Sequence, residues 1–521
     1  MTPKFTMRQA LEDPALLGAL MPGKSWAVWR ALLIASRGEP LTAAELALFT
    51  ARTGRTVAPT QPTSEMAFIA GRRSGKTVAA ACYSVYLAAL CDHRQALTVG
   101  EHAVLLFLAQ SQRTAKVAFQ YACGLFETTP LLRQLVVNRT NDTIELTGGV
   151  DLEIRPASFR GLRGVTAVGV IADELGYWYS DDSANPDVEV LAAVRPALAT
   201  TGGPLLMVSS PYARRGELWE VYRQHYGPDG DPDILVAHGA SREFNETLSQ
   251  VVVDRALARD HARFSAEYLA QFRSDVETFI AIETVRACVD TGARERKPQR
   301  YASYVAFIDP AGGSGGDSMT LAIAHMDGKT VFLDCLREMR PPFSPAAVVE
   351  SFVQVLHEYQ CWTVRGDRWA GEWVREPLLV HGVSYELSEL SKSELYQAFM
   401  PMMNSRSVVL LDNDRLGSQL VALERKVSRG GRDSIDHSPG GHDDLANVAA
   451  GACLIALEHG VAMPAHRLQS YAVSAHDPLA TNEENAIAMA HAEQRGGYFT
   501  GPGWAPTWHG DERTQQVYGE D

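Results

Sequence analysis

The sequence predicts an α/β protein made of two units in succession, each with polar residues at the ends of apolar strands. In the first half, apolar runs that fit buried parallel strands alternate with helical patterns. One loop of small residues lies there between a strand and a helix. In the second half, three strands, a helix and a fourth strand are followed by a late helix, and aspartates mark their ends. Because ligands bind at the carboxyl ends of strands in such folds, the pattern predicts two ligand sites on one chain.

With 521 residues, the chain is long for one domain, so two or three domains are expected. Its 46% hydrophobic and 21% charged residues are ordinary for a globular protein with a sizeable core. No apolar run approaches the ~18 residues that span a bilayer, and the N-terminus lacks the apolar core of a signal peptide. We therefore expect no membrane partner. The seven cysteines are scattered without a CxxC pair, which predicts buried thiols in a reducing cytoplasm rather than disulfides or a zinc site.

The net charge of −14 argues against a protein that binds a polyanion over its whole surface. It does not exclude DNA, because phosphate contacts need only a local basic track. Two short tracks are present, and each is interpreted either as a DNA contact or as a solvated loop. Their residues are Arg294, Arg296, Lys297 and Arg300 in the first, and Arg425, Lys426, Arg429 and Arg432 in the second.

Composition and periodicity divide the chain into five parts: a helical lead-in over 1–60, the first unit over 61–245, a connector over 246–300, the second unit over 301–460, and a tail over 461–521. In the lead-in, Ser25–Ser36 has helical spacing, and a capping box at Thr42–Glu45 predicts a helix that ends near Phe49. The connector is expected to hold one helix over Asp254–Phe272 and a basic linker at Gly292–Arg300. The tail is either a docking segment, with a helix near 483–494, or disordered.

The loop after the apolar run Met66–Ala70 has the pattern of a phosphate-binding loop. Gly71 and Gly75 bracket a short turn, and Lys76 and Thr77 open an Ala-rich helix. In such a loop the backbone N–H groups hold the anion, the lysine reaches the β- and γ-phosphates, and the threonine ligates Mg²⁺. One position departs from the usual pattern, because Ala70 stands where a glycine is common. The predicted ATP-binding residues are Gly71, Arg72, Arg73, Ser74, Gly75, Lys76, Thr77, Asp173 and Ser209.

Two further strands supply partners for this loop. The apolar strand that starts at Val168 ends in Asp173 and Glu174, which suit a Mg²⁺ ligand and a base that polarises the attacking water. The next strand ends in Ser209 and Ser210, whose hydroxyls are interpreted either as sensors of the γ-phosphate or as a simple turn. Together with the loop, these residues predict ATP hydrolysis.

The second half matches the RNase H-like order of elements. Tyr304–Asp309 is a strand that ends in an acid, the fourth strand ends in Asp367, and Asp443 and Asp444 open the last helix. Carboxylates that converge in this way can hold two divalent ions ~4 Å apart for cutting nucleic acid. Oxygen ligands favour Mg²⁺ or Mn²⁺ over zinc. Asp317, just past a glycine-rich loop, is a secondary ligand.

These motifs together resemble the large terminase subunit of tailed double-stranded DNA bacteriophages. The resemblance covers roughly residues 25–460 and rests on four stretches besides the ordered acids: Arg72–Thr77, Phe159–Gly164, Ile171–Glu174 and Ser209–Pro211. It implies an ATPase domain of the P-loop (ASCE) class followed by an RNase H-like nuclease domain. The catalytic residues would be Arg72, Glu174, Asp309, Asp367 and Asp444, and the metal ligands Thr77, Asp173, Asp309, Asp367, Asp443 and Asp444.

The resemblance also implies roles that the residues alone leave open. Arg72 would act in cis on the γ-phosphate, although composition also permits a solvated loop arginine. Arg160 and Arg163 would touch phosphates of either ATP or DNA. Asp444 is preferred over Asp443 as the ligand, because the family places one three residues before the position of Asn447. Many relatives carry a further aspartate at that position, so a weakened metal site is expected here.

By the same resemblance, ATP turnover would drive double-stranded DNA into a procapsid, and the second unit would cut concatemeric genomes. The partners would be the portal protein, a small terminase subunit and further copies of the chain in a ring. The protein would work in the host cytoplasm and be absent from the mature virion. Two rivals remain: a P-loop translocase or helicase whose RNase H-like domain binds DNA without cutting it, and a nucleotide-switched assembly protein.

Overall fold

The structure is a computed structural model that describes residues 1–158, 162, 164–179, 186–367, 371–427, 433–462, 497–500 and 507–510. Several predicted features lie outside these residues, namely Arg160, Arg163, Arg429, Arg432 and the helix near 483–494. Within the described residues, no helix is both long and apolar enough to cross a bilayer. All seven cysteines are buried free thiols, as predicted.

The first half and the connector contain both strands and helices. In chain order the elements are β1 Thr2–Pro3, α1 Met7–Glu12, α2 Ala27–Ser36, α3 Ala43–Thr53, β2 Glu65–Ala70, α4 Lys76–Ala89, β3 Cys91–Asp92, β4 Ala103–Ala109, α5 Gln112–Thr128, α6 Pro130–Arg133, β5 Val136–Arg139, β6 Thr143–Leu146, β7 Val150–Pro156, β8 Ala167–Asp173, α7 Pro186–Ala199, β9 Leu205–Ser209, α8 Gly216–His225, β10 Ile234–Gly239, α9 Ser241–Phe244, α10 Gln250–Arg259 and α11 His261–Leu269.

An eight-stranded sheet forms the centre of this half, in the order β10-β2-β9-β8-β4-β7-β6-β5. The strands from β10 to β7 pair in parallel, whereas β7, β6 and β5 pair antiparallel. Strand β9 therefore lies between β2, which leads into the phosphate loop, and β8, which ends in Asp173. The predicted α/β class with a mostly parallel sheet is confirmed. This order brings the loop, Asp173 and Ser209 to one edge of the sheet.

The helical lead-in packs against this sheet. Trp29 on α2 is fully buried and contacts the rings of Phe68 and Phe244, with centroid distances of 5.8 and 4.7 Å. The capping box at Thr42 is present, but α3 runs past the predicted end to Thr53. It ends there because Gly54 takes a left-handed φ of 69° and its N–H bonds to the Thr50 carbonyl. The lead-in thus fixes one side of the phosphate loop.

The connector differs from its prediction. The single helix expected over Asp254–Phe272 is wrong, since two helices, α10 and α11, meet at Asp260. Asp260 is extended (φ −153°, ψ 96°), and its carboxylate accepts a hydrogen bond from the N–H of Arg263. An aspartate that caps the next helix in this way interrupts the preceding one.

The second half contains these elements: β11 Val276–Thr278, α12 Ile282–Cys288, β12 Val289–Asp290, β13 Tyr304–Asp309, β14 Met319–Asp327, β15 Thr330–Met339, α13 Pro345–Glu358, β16 Thr363–Gly366, α14 Gly371–Val380, β17 Ser384–Leu387, α15 Lys392–Ser405, β18 Val408–Leu411, α16 Asp414–Val421, β19 Leu423–Val427, β20 Asp433–His437 and α17 Asp444–Ala462. In the tail, β21 Gly497–Thr500 pairs antiparallel with β22 Thr507–Gly510.

The main sheet of this half has the order β12-β18-β15-β14-β13-β16-β17. Strands β13, β14 and β15 are antiparallel, and β16 pairs in parallel with β13 and β17. The predicted RNase H-like order is confirmed. Helix α17 packs closely on β13, because a Cβ at Gly451 would lie 2.4 Å from the Phe307 ring. This close approach brings the start of α17 next to the end of β13.

Residues before the predicted linker already belong to the second core. Ile280, Val285 and Cys288 are buried in the same cluster as Phe307. Within the linker, Arg296 is held by the second unit, because its guanidinium donates to the Leu333 carbonyl and to Asp290, both at 2.6 Å. Arg296 is therefore a structural contact, and neither a free DNA ligand nor a solvated residue. The domain boundaries themselves stay predictions.

Glu424 on β19 joins the two halves. It is fully buried, accepts a hydrogen bond from the Tyr212 hydroxyl at 2.5 Å, and forms an ion pair with Arg215. Strand β19 also pairs with β11 and with β20. Arg425, predicted to lie in a flexible basic loop, is instead on this strand, and its guanidinium bonds to Asp433 across the hairpin. The predicted loop is therefore wrong at this arginine, and its contact with DNA stays a prediction.

Candidate functional site

Two glycines shape the loop between β2 and α4. Gly75 takes a left-handed φ of 97°, and a Cβ there would lie 2.8 Å from the Trp26 ring. A Cβ at Gly71 would lie 2.3 Å from Ser241 Oγ. The loop is also held from outside, since Trp29 Nε1 donates to the Ser74 carbonyl at 2.8 Å. These contacts fix the loop backbone in front of the N-terminus of α4, where an anion binds best.

Lys76 lies buried beneath this loop. Its ammonium donates to the carbonyls of Ala70 (2.9 Å) and Gly71 (3.2 Å) and to Ser210 Oγ (3.0 Å). Burial lowers the pKa of Lys76. The hydrogen bonds of its ammonium in the described part of the chain all go to neutral oxygens, so the charge lacks a directly bonded anion. A phosphate in the loop would supply one.

Asp173 and Glu174 lie beside Lys76. The Oδ1 atom of Asp173 is buried and has no hydrogen-bond partner among the described residues. Burial, and after it the charge of Glu174, raise the pKa of Asp173 to about 7. A buried, unpartnered carboxylate oxygen at a strand end fits a Mg²⁺ ligand, with Thr77 on the first turn of α4 as its predicted partner.

Glu174 is held in an unusual backbone conformation. Its φ of 51° is left-handed, which a non-glycine residue rarely adopts. Its Oε2 accepts hydrogen bonds from the Ser210 N–H at 3.2 Å and from Ser209 Oγ at 3.4 Å. The end of β9 therefore contacts both the predicted base and Lys76. The role of Ser209 as a sensor of the γ-phosphate, rather than part of a simple turn, stays a prediction.

Arg72 is placed differently from the predicted γ-phosphate contact. Its guanidinium pairs with Glu267 on α11 at 3.0 Å, and its side chain is 60% exposed. The hydrogen bond that it donates to Glu267 raises the pKa of Arg72. Arg72 is thus paired with Glu267, yet after burial its charge also contributes to lowering the pKa of Lys76, and its action in cis on the phosphate stays a prediction. Arg73 is likewise exposed on this loop.

The predicted acids of the second half meet in one cavity of ≈ 720 Å³. Asp309 ends β13, Asp367 follows β16, and Asp443 and Asp444 stand at the start of α17. The secondary ligand Asp317 lines the same cavity, but its side chain is 79% exposed and lies 3.7 Å from His442 Nδ1. Sequence positions more than a hundred residues apart are thus brought together.

The acids of this cavity raise one another's pKa values. Burial, and after it the charges of Asp444 and Asp367, raise the pKa of Asp309 to about 7. The pKa of Asp444 is raised to about 6, again by burial first and then by Asp443. Clustered carboxylates that hold protons near neutral pH are short of a cation. The donor set of Asp309, Asp367 and Asp444 therefore fits Mg²⁺ or Mn²⁺.

Asn447 contacts this acid set directly. Its Nδ2 donates to Asp309 Oδ2 at 2.7 Å, and its own Oδ1 is buried without a partner among the described residues. The hydrogen bond partly offsets the rise in the pKa of Asp309. The residue that was expected to weaken one metal site is therefore also a partner of the first acid.

The two neighbouring aspartates have different surroundings. Asp444 accepts a hydrogen bond from the Ser318 N–H at 2.9 Å. Asp443 instead accepts from Lys392 Nζ at 3.0 Å and from the Tyr396 hydroxyl at 2.8 Å. This agrees with the preference for Asp444 as the metal ligand, which stays a prediction.

Sequence reasoning missed the other side of the cavity. Lys392 also pairs with Asp436 at 3.0 Å, and ligand atoms of Asp436, His437 and Asp443 lie within 4.8 Å of one another. The only local signal was the capping box that Ser391 and Glu394 form at the start of α15. That signal predicts a helix start, and says nothing about the acids that face it.

No protein-family model matches the sequence, and a comparison with curated proteins gives no match. Solved structures do match. The large terminase of the HK97 bacteriophage has 16% identity, a TM-score of 0.34, and coverage of 75% of this chain and 91% of that chain. The large terminase of a thermophilic bacteriophage has 11% identity, a TM-score of 0.35, and coverage of 80% of this chain and 98% of that chain.

A third similar structure is the large terminase nuclease of the thermophilic phage G20c, with 16% identity and a TM-score of 0.30. That match covers 33% of this chain and 95% of that chain. These structures carry the family name that the motifs resemble. Identities and TM-scores this low leave the function of this chain to be inferred from its own residues.

Proposed function

We propose that this chain is an ATP-driven DNA translocase that also cuts DNA, acting as the large terminase subunit of a tailed double-stranded DNA phage. The observation that carries the proposal is the presence of two sites on one chain. A phosphate loop faces Asp173 and Glu174 in the first half, and a cavity of buried acids lies in the second half. Through Tyr212, Glu424 connects the segment that follows β9 to the hairpin of β19 and β20, which lines that cavity.

In the first half, Lys76 would exchange its contacts with Ala70 and Ser210 for the β- and γ-phosphates of ATP. Thr77 and Asp173 would hold Mg²⁺, which offsets the phosphate charge when bound. Glu174 would orient the attacking water and accept its proton. Because Ser210 contacts Lys76 and Ser209 contacts Glu174, loss of the γ-phosphate would change the contacts at the end of β9.

In the second half, Asp309, Asp367 and Asp444 would hold Mg²⁺ or Mn²⁺. When bound, the metal lowers the pKa of water and stabilises the leaving 3′ oxygen of a DNA strand. Each of these carboxylates would offset part of the metal charge, so the loss of any one of them would weaken metal binding. Asp443 would contribute less to metal binding, because its charge is already paired with Lys392.

The proposal extends to partners and place. Double-stranded DNA would be the substrate of both sites. The portal protein of an empty procapsid, a small terminase subunit and further copies of the chain in a ring would be the other partners, in the cytoplasm of the host cell. These partners and this location follow from the resemblance of the motifs, and their tests are separate from the assays of ATP hydrolysis and DNA cutting.

The test uses the full chain, because a fragment that begins at 295 would lose the core residues Ile280, Val285 and Cys288. Supercoiled plasmid is incubated with Mn²⁺, and ATP turnover is measured in parallel. Asp367→Ala should abolish cutting and leave ATP turnover unchanged, whereas Lys76→Ala should do the reverse. Cutting retained in Asp367→Ala, or ATP turnover retained in Lys76→Ala, would refute the assignment of that site.

One observation favours the rival in which the second half binds DNA without cutting it. Asn447 stands beside Asp309 where a further acid would strengthen a metal site. The same plasmid assay decides between the two functions. DNA bound but left uncut by the unchanged chain, together with intact ATP turnover, would support the rival.

A further inference from the structure

Lys392 is the only lysine or arginine among the described residues that line the acid cavity. It is the first residue of α15, and its side chain is 32% exposed. Its ammonium lies 3.0 Å from an oxygen of Asp436 and 3.0 Å from an oxygen of Asp443. On its Asp436–Asp443 side the cavity thus holds one ammonium that is shared by two carboxylates.

The surroundings hold this lysine in place. Ser391 and Glu394 form a capping box at the start of α15. The side chain of Ser393 accepts a hydrogen bond from the Ile435 N–H on β20 at 2.9 Å. Tyr396, one turn along the helix, donates to Asp443 at 2.8 Å. Both the helix and the counter-ion of Lys392 are therefore anchored, which limits the movement of the ammonium.

We propose that Lys392 is a catalytic residue of the second site that contacts a phosphate of the bound DNA strand. On its side of the cavity it would supply the positive charge that a second metal ion would otherwise supply. This inference rests on the proposed DNA-cutting function.

Three features support this contact. The ammonium of Lys392 has three N–H donors. Among the described residues it donates to two carboxylates, Asp436 and Asp443, which leaves a donor for a phosphate. A DNA phosphate that approaches so many acids is repelled unless a cation faces it. Asn447 leaves the cavity one carboxylate short of what two metal ions would favour, and Lys392 would offer the DNA phosphate a positive charge in place of the second ion.

The alternative is that Lys392 only positions Asp443. The variants Lys392→Ala and Lys392→Gln test the contact, and Tyr396→Phe loosens Asp443 without removing a charge. Lys329→Ala, in the exposed turn between β14 and β15, is the matched control for loss of a lysine. Binding of a short duplex by the full chain is measured by fluorescence anisotropy in EDTA over a range of salt concentrations. Cutting in Mn²⁺ and ATP turnover are measured alongside.

If Lys392 contacts a phosphate, the slope of log K against log salt should become shallower by about one in both Lys392 variants. The slope should stay unchanged in Tyr396→Phe and Lys329→Ala. Cutting should fall by about 10²-fold or more in the Lys392 variants, as for loss of a charge that stabilises the transition state. ATP turnover should stay at the level of the unchanged chain.

A salt slope of the Lys392 variants equal to that of the unchanged chain would overturn the inference, even if cutting were lost. If Lys392→Ala does not fold, the slope of Lys392→Gln decides in the same way. An unchanged chain that binds duplex but does not cut it would refute the proposed cutting function alone, since the slope still reports on the lysine. An unchanged chain that does not bind duplex would refute both.

Discussion

Replacing Asn447 by aspartate tests the electrostatics of the acid cavity with little change in side-chain size. Asn447 is 1% exposed, and its Nδ2 lies 2.7 Å from Asp309 Oδ2. The variant removes a hydrogen bond to a charged group, worth about 1.5–3 kcal/mol. It also places a second carboxylate against Asp309, so one of the two must hold a proton. Above pH 7, holding that proton costs about 1.4 kcal/mol per pH unit. We expect a loss of about 2–4 kcal/mol at pH 8 without metal.

Calorimetric unfolding of the full chain in EDTA measures this loss. For a unit of this size, each kcal/mol lowers the midpoint by about 2–4 °C, so a drop of about 4 °C or more is expected at pH 8. At pH 5.5 the drop should be smaller, because Asp309, with a pKa raised to about 7, already carries a proton that it can share. Mn²⁺ should restore the midpoint, since it supplies the missing positive charge.

Asn413→Asp is the control for the chemical change. Asn413 caps α16 by accepting a hydrogen bond from the Leu416 N–H, and aspartate caps a helix equally well. The unfolding midpoint of Asn413→Asp should stay near that of the unchanged chain at both pH values. The electrostatic account would be refuted if the unfolding midpoint of Asn447→Asp dropped no more at pH 8 than at pH 5.5. It would also be refuted if Mn²⁺ did not restore the midpoint.

Three further outcomes are expected. In the unchanged chain, burial raises the pKa values of Asp309 and Asp444 from an ordinary 3.8 to about 7 and about 6. At pH values between the ordinary and the raised pKa, the folded state therefore binds more protons than the unfolded state. Stability in EDTA should therefore fall as pH rises from 4 to 7, and a flat calorimetric profile would contradict this. Glu174→Gln should bind ATP in a filter assay yet hydrolyse it about 10²-fold more slowly. A loss of ATP binding as large as the loss of hydrolysis would contradict the role of Glu174 as the base. Glu424→Gln should lower the unfolding free energy by about 1–3 kcal/mol, because Tyr212 and Arg215 lose a buried charged acceptor; unchanged denaturant unfolding would refute it.

The sequence by itself determined the strands and helices that carry most of the chemistry. Continuous apolar runs such as 103–109 can only be buried on both faces, and the structure has a strand there with the same bounds. The strand Tyr304–Asp309 also has its predicted bounds. Glycines, a lysine and a threonine at fixed spacing predicted the turn before α4, because local backbone geometry depends on neighbours only a few residues away.

The predicted acids of the second half were also found from local pattern, because each marks the end of an apolar strand or the start of a helix. Their convergence followed from the order of the elements, which restricts the possible topologies. Asp309, Asp367 and the pair Asp443 and Asp444 were therefore located without knowledge of side-chain contacts, whereas the preference for Asp444 came from the family resemblance. The same reasoning failed where one residue breaks a helical pattern, as Asp260 does between α10 and α11.

Only the tertiary structure decided the partners of the charged residues. Asp309 meets Asn447 across 138 positions, and Arg72 meets Glu267 across 195 positions. Lys392, Asp443 and Asp436 come from a helix start, another helix start and an edge hairpin, which no periodicity relates. The physical reason is that periodicity records which face of an element is buried, whereas a charge pairs with whatever long-range packing brings to that face.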